Sequence, residues 1–303
     1  MRTPQALPPT RSGQRLAVVA HDAGATNLIL PWLDLDSVHV QAFVQGPALV
    51  LWQQRFGTRG LMPSLEAALT GADLLLSGTG WASDLEHEAR VQAHARGLRT
   101  VAVIDHWVNY AARFQRNGVR LLPDEIWVTD AEALAIARAT FPGQPLRLHP
   151  NLYLRDQVER IAPCPDPVRY PAVLYVLEPV RDDWGRGEAG EFQALDYFIA
   201  QAHHLGLPAD APLHLRPHPS DPPGKYDAWL ARAHGRPVGL DPSPTLAEAL
   251  DRHAWVAGCE SMALVVALAA GRRVVCTLPP WAPACRLPQR GLLHLKDLAE
   301  PKS

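Results

Sequence analysis

The 303-residue sequence predicts an α/β fold built as two doubly wound parallel-sheet domains. Three observations predict it. Short apolar runs recur along the chain, each of the length and continuity that a strand buried on both faces requires. They alternate with helical segments, the rhythm that builds a parallel sheet from βαβ units. That rhythm breaks once, at Ala162-Pro163-Cys164-Pro165-Asp166-Pro167-Val168-Arg169-Tyr170-Pro171, and then restarts. Proline and charge at that density mark a domain boundary. The expected division is a disordered tail over 1–14, a first domain over 15–160, a linker over 161–171 and a second domain over 172–303.

In the first half, Leu16-Ala17-Val18-Val19-Ala20 reads as a strand. It breaks at His21-Asp22-Ala23-Gly24, and an apolar helical segment follows to Leu33. Strand, small-residue turn and helix start together make a ready anion or ligand site. Residues 38–44 form a second strand, and 47–56 and 65–69 helices. Residues 72–76 form a third strand, ending at the small-residue turn Ser77-Gly78-Thr79-Gly80. Asp84 is placed to cap a helix running to Ala95, with Glu86 and Glu88 in its first turn. Residues 100–104 are a strand that delivers Asp105-His106-Trp107, and 125–129 a fifth, after which Asp130 caps the helix 131–140. Residues 146–151 close this half.

The second half restarts with strand 172–177, ending in Glu178-Pro179. A polar loop over 181–190 and a long helix over 191–205 follow. The next strand runs into Arg216-Pro217-His218-Pro219, where each residue before proline is driven out of the helical region. Arg216 and His218 are therefore expected extended at a strand end, the place where open α/β sheets bind ligands. Helices over 225–234 and 245–251 and a strand over 254–257 precede Gly258-Cys259-Glu260-Ser261, which turns into the helix 262–270. Residues 273–278 read as the last strand.

Composition removes several classes of function. A net charge of −2 leaves no broad cationic surface for nucleic acid. The apolar run from Met262 stops at Gly271-Arg272-Arg273, well short of the roughly 18 residues a membrane span needs. Any membrane association is thus expected to be peripheral at most. Cys164, Cys259, Cys276 and Cys285 show no CxxC or Cys/His ligand spacing and read as free thiols of a reducing cytoplasm. No HExxH motif is present, and no metal and no cofactor is expected.

Three segments of the second half carry a resemblance: the strand ending in Glu178-Pro179, the Arg216-Pro217-His218-Pro219 stretch, and Gly258-Cys259-Glu260-Ser261 leading a helix. They resemble the nucleotide-sugar domain of GT-B glycosyltransferases, two Rossmann-like domains facing across a cleft. The His-Pro pair followed by a helix-start serine is similar to the bacterial sialyltransferase-like and Kdo-transferase-like enzymes, which use CMP-sugars. The resemblance implies that His218 and Ser261 contact the donor phosphate and that Glu260 accepts a ribose hydroxyl. Arg216, Pro219, Gly258 and Glu178 complete the expected nucleotide site, although Arg216 is equally suited to pairing with a surface acid. The first half is then expected to hold the acceptor, a polysaccharide or glycolipid, and the base that takes its proton. Asp22, with His21 beside it, and Asp105, with His106, are the candidates; the alternative for both aspartates is helix or turn capping. The same scaffold also suits a UDP-sugar 2-epimerase or nucleotide-sugar hydrolase, or a nucleotide-binding protein without catalysis.

Overall fold

The computed structural model describes residues 14–80, 83–180, 182–232 and 234–299. The expected disordered tail, apart from Gln14, lies outside the described residues. The chain is mixed α/β and divides into two compact units, Met1–Tyr153 and Leu154–Ser303. This division falls ahead of the proline-rich stretch, inside the helix Leu152–Glu159. Leu152 and Tyr153 pack on the core of the first unit. The stretch itself is tied to the second unit, since the Ala162 N–H donates to Asp251 and Arg272 donates to the Ala162 carbonyl.

The first unit holds β1 (Arg15–Ala20), β2 (His39–Val44), β3 (Leu74–Ser77), β4 (Arg99–Val103), a small hairpin of β5 (Gln115–Arg116) and β6 (Val119–Arg120), β7 (Glu125–Val128) and β8 (Leu146–Leu148). All but the hairpin form one parallel six-stranded sheet in the order β2-β1-β3-β4-β7-β8. Every residue of β3 and β7 is buried, which is why Leu74-Leu75-Leu76 and Ile126-Trp127-Val128 run continuously apolar rather than alternating. The chain goes from β1 out to β2 and then back across β1 to β3. That reversal is the topological switch point, where parallel sheets open a crevice at their carboxyl edge.

The second unit holds β9 (Val173–Val176), β10 (Leu213–Arg216), β11 (Val238–Leu240), β12 (Trp255–Gly258), β13 (Arg273–Cys276) and β14 (Leu293–His294). Its sheet is also parallel and six-stranded, in the order β11-β10-β9-β12-β13-β14. Counted within the unit, that is 3-2-1-4-5-6, the order of dinucleotide-binding sheets, with the switch point between β9 and β12. Both architectures are compatible with Rossmann-like domains.

Several local expectations are corrected. The helix expected over 225–234 is only Asp227–Leu230, because Pro222-Pro223-Gly224 upstream and His234-Gly235 downstream interrupt it. The long helix expected over 191–205 ends at Gln201 and tightens into a 3-10 turn, Ala202–Leu205. The strand expected to run to Leu278 stops at Cys276, and β14 adds a further edge strand. Asp84 stands at its helix N-cap without bonding it: Ser83 Oγ accepts the Leu85 N–H instead, and Asp84 pairs with Arg116.

Candidate functional site

The first switch point gathers polar side chains from four segments. His21 and Asp22 follow β1, Gly78-Thr79-Gly80 follows β3, Asp105 follows β4, and Glu86 rises from the helix Leu85–Ala95. Asp22 occupies the N-cap position of the helix Ala23–Ile29, yet its carboxylate makes no capping bond. It meets the ring of His21 instead, Oδ1 to Nδ1 at 2.8 Å. A carboxylate on Nδ1 fixes the tautomer with that proton and leaves Nε2 as the acceptor, the arrangement of an oriented general base. His21 and Asp22 both remain partly exposed, with 23% and 28% of their side-chain surface accessible.

Small residues here are a condition for the polar ones. A Cβ on Gly80 would stand 2.0 Å from Asp22 Oδ2, and one on Gly24 would stand 1.8 Å from Asp105 Oδ2. A Cβ on Gly46, the first residue of the helix Gly46–Phe56, would stand 2.7 Å from His21 Nε2. Gly24 and Gly80 have no positive φ, so the constraint at both is space rather than backbone conformation. Replacing Gly80 by alanine is therefore expected to destabilise the first unit by about 1–3 kcal/mol through overpacking. Denaturant unfolding measures it, and an unchanged midpoint would show that Asp22 does not press on this turn.

Glu86 was legible only as a first-turn helix carboxylate. The fold buries it completely, and its Oε1 accepts the His21 N–H at 3.0 Å. Burial, with the charge of Asp22 nearby, raises its pKa and favours the protonated acid. Its Oε2 has no hydrogen-bond partner among the described residues. Arg90, one turn along the same helix, is also fully buried and donates to Ser77 Oγ and the Gly78 carbonyl. Burial pushes its guanidinium down to about 10. Asp105 pairs with Arg113 at 2.7 Å, and the same guanidinium donates to Thr79. His106 Nδ1 accepts the Trp107 N–H, and its ring packs on the indole. Asp22 and His21 are thus brought together. Asp105 lies against Gly24 and is held by a buried cation.

At the second switch point, Glu178 after β9 accepts the Glu260 N–H at 2.7 Å, bridging the ends of β9 and β12. Burial pushes the Glu178 carboxyl up to about 7, with the neighbouring Glu260 charge adding to the shift. The Glu260 carboxylate is gripped by Arg286 through its guanidinium and its backbone N–H. Ser261 caps the helix Met262–Ala269, accepting the Ala263 N–H at 3.2 Å. Gly258 is required where it stands, because a Cβ there would meet the Val176 carbonyl at 2.6 Å.

His218 and Pro219 lie in an exposed loop beyond β10, with the His218 ring bonded to the Ser220 hydroxyl at 2.7 Å. β10 and β12 flank β9, so the loops bearing His218 and Ser261 start about 10 Å apart, twice the strand spacing. Arg216 is taken up elsewhere: it pairs with Asp241 at 2.6 Å and donates to the Ser243 and Pro244 carbonyls. The pairing alternative holds for it, with an acid that is buried rather than on the surface. A cavity of about 440 Å³ lines the β10–β11 side of this sheet between Pro212, His214, Pro237 and His253. None of the switch-point residues lines it.

The fold and these edges define a two-unit parallel α/β protein with ionisable groups at both switch points. No protein-family model matches the chain, and no curated protein aligns with it significantly. Among the described residues, no helix is long and apolar enough to cross a membrane.

Proposed function

We propose that the chain is a cytoplasmic GT-B-type glycosyltransferase that moves a sugar from a nucleotide donor, CMP-linked by the resemblance above, to a polysaccharide or glycolipid acceptor. The observation that carries the reading is the His21–Asp22 pair at the first switch point. In the proposed inverting step, the acceptor hydroxyl oxygen bonds to the anomeric carbon as the bond to the donor phosphate breaks. The nucleotide leaves with that electron pair, and the hydroxyl proton passes to His21 Nε2 while Asp22 supports the imidazolium. In the second unit, Glu178, Glu260 and the capped helix start at Ser261 are assigned to the donor, with His218 on the phosphate. Arg216 is left out of this assignment because its guanidinium is already engaged.

A second reading, a nucleotide-sugar epimerase or hydrolase, is favoured by a different observation. Asp22, Glu86 and Asp105 put three carboxyl groups around one strand-end turn, more than a single transfer base requires. Incubation with donor alone separates the two, since only the epimerase or hydrolase turns over without an acceptor.

Both readings need a nucleotide, and a thermal-shift screen with CMP, CDP, UDP, GDP and dTDP tests them together. A nucleotide at 100 times its dissociation constant is expected to add about 2.7 kcal/mol of stability, and Ser261→Ala should lose most of that gain. Absence of a shift with all of them removes both.

A further inference from the structure

β13 and β14 pair in parallel, and a parallel connection is ordinarily made by a helix. Here residues 277–292 make it with no helix or strand of their own. A structureless connection of that length inside a compact unit calls for something that fixes it. Buried Leu278, Leu287 and Leu292 anchor it in part.

Its start, middle and end each carry a metal-ligating side chain. Cys276 closes β13, Cys285 lies midway, and His294 closes β14, spaced as Cys-x8-Cys-x8-His. The strand register sets Cys276 directly opposite His294. The Sγ atoms of Cys276 and Cys285 and a ring nitrogen of His294 all lie within 4.8 Å of one another.

We infer that Cys276, Cys285 and His294 form a site for a thiophilic divalent cation, zinc being the best match, that staples this connection at three points. Two sulfurs and one imidazole are the donors zinc takes, whereas magnesium and calcium require oxygen. Tetrahedral zinc with bonds of about 2.3 Å to sulfur and about 2.0–2.1 Å to nitrogen needs its ligand atoms about 3.5–3.8 Å apart, so the ring and thiols need only close slightly. A disulfide between the cysteines would leave His294 without a part in the cluster; the metal employs all three. Three protein ligands leave a fourth position for water. The staple also bears on the second switch point, because Arg286, the residue after Cys285, is the one that grips Glu260. No step of the proposed transfer passes through the metal.

The test uses the full chain expressed with zinc in the medium and dialysed against metal-free buffer. Elemental analysis is expected to find about one zinc per chain, and cobalt exchanged into the site should show thiolate charge-transfer bands and the strong visible bands of tetrahedral coordination. Cys285→Ser and His294→Ala, neither at a fully buried position, should each weaken metal retention by about tenfold or more while circular dichroism stays unchanged. Stripping zinc from the parent chain should speed tryptic cleavage at Arg286 or Arg290. A zinc-free chain with no cobalt bands, variants that hold metal as the parent does, or a Cys276–Cys285 disulfide in reduced preparations would each overturn the proposal. All of these readouts are independent of nucleotide binding, so the site and the proposed activity stand or fall separately.

Discussion

Replacing His21 by alanine is expected to lower turnover by about 10²–10⁴-fold with little change in donor affinity. The expectation follows from the geometry at the end of β1. Asp22 holds the imidazole by Nδ1, so Nε2 is the basic position, and the backbone N–H of the same residue is anchored on Glu86. Asp22→Asn tests the orientation separately. An asparagine amide keeps the shape but presents a different hydrogen-bonding group to Nδ1, so the other tautomer becomes accessible and Nε2 loses its basicity. The rate of nucleotide release, with whichever donor gives the thermal shift, measures both variants. If His21→Ala turns over at the parental rate, the base lies elsewhere, and Asp105 is next in line. If Asp22→Asn is silent while His21→Ala is not, the carboxylate is only a neighbour of the ring.

Glu178→Gln is expected to stabilise the protein at pH 8 and to leave it unchanged near pH 4. A carboxyl raised from 4.5 to about 7 binds its proton more tightly folded than unfolded. Below 4.5 the group is neutral in both states and contributes nothing. Between 4.5 and 7 the unfolded chain ionises first, so stability falls as pH rises, and above 7 the cost is complete, on the order of 3 kcal/mol. Glutamine keeps an oxygen for the Glu260 N–H without the buried charge, so its advantage should grow across that window. Urea unfolding of both proteins from pH 4 to 8 measures it, and parallel stability curves would show that Glu178 is not held in its acid form. Perturbed carboxyls of this kind cluster at functional sites, and Glu178 stands where two strand ends part at a switch point.

Strand signals were strongest where burial was most complete. Leu16 to Ala20, Leu74 to Leu76 and Val173 to Val176 are continuously apolar because both faces of a central parallel strand are covered, and each lies in a strand. Val238–Leu240 and Leu293–His294 gave no such signal. They are outermost strands of two or three residues, half exposed, and their pairing is decided by the neighbour they lie beside. The helix Leu152–Glu159 was missed for a related reason: it follows Pro150-Asn151, which reads as a break, and it is held by Leu152 reaching the first core.

The candidate sites divide in the same way. His21, Asp22 and Glu178 were legible because they directly follow apolar runs, and Ser261 because it opens a helix after the turn that ends one; a residue at the carboxyl end of a parallel strand must emerge at the ligand edge. Glu86, Arg90 and Arg113 sit on helices, where the pattern says only which face is polar; their burial against Ser77, Gly78 and Thr79 comes from the packing of helix on sheet. Arg216 was open in the sequence between a phosphate and a surface acid, and it is held by the buried Asp241, 25 residues away. By itself, then, the sequence determined two parallel sheets and the turns at their carboxyl edges, because strand burial and turn chemistry act over a few neighbours. Only the tertiary structure decided which charges are paired, which carboxyls are kept as acids, and that Cys276, Cys285 and His294 meet. Those outcomes depend on separations of a few ångströms between residues far apart along the chain, and local pattern carries no record of them.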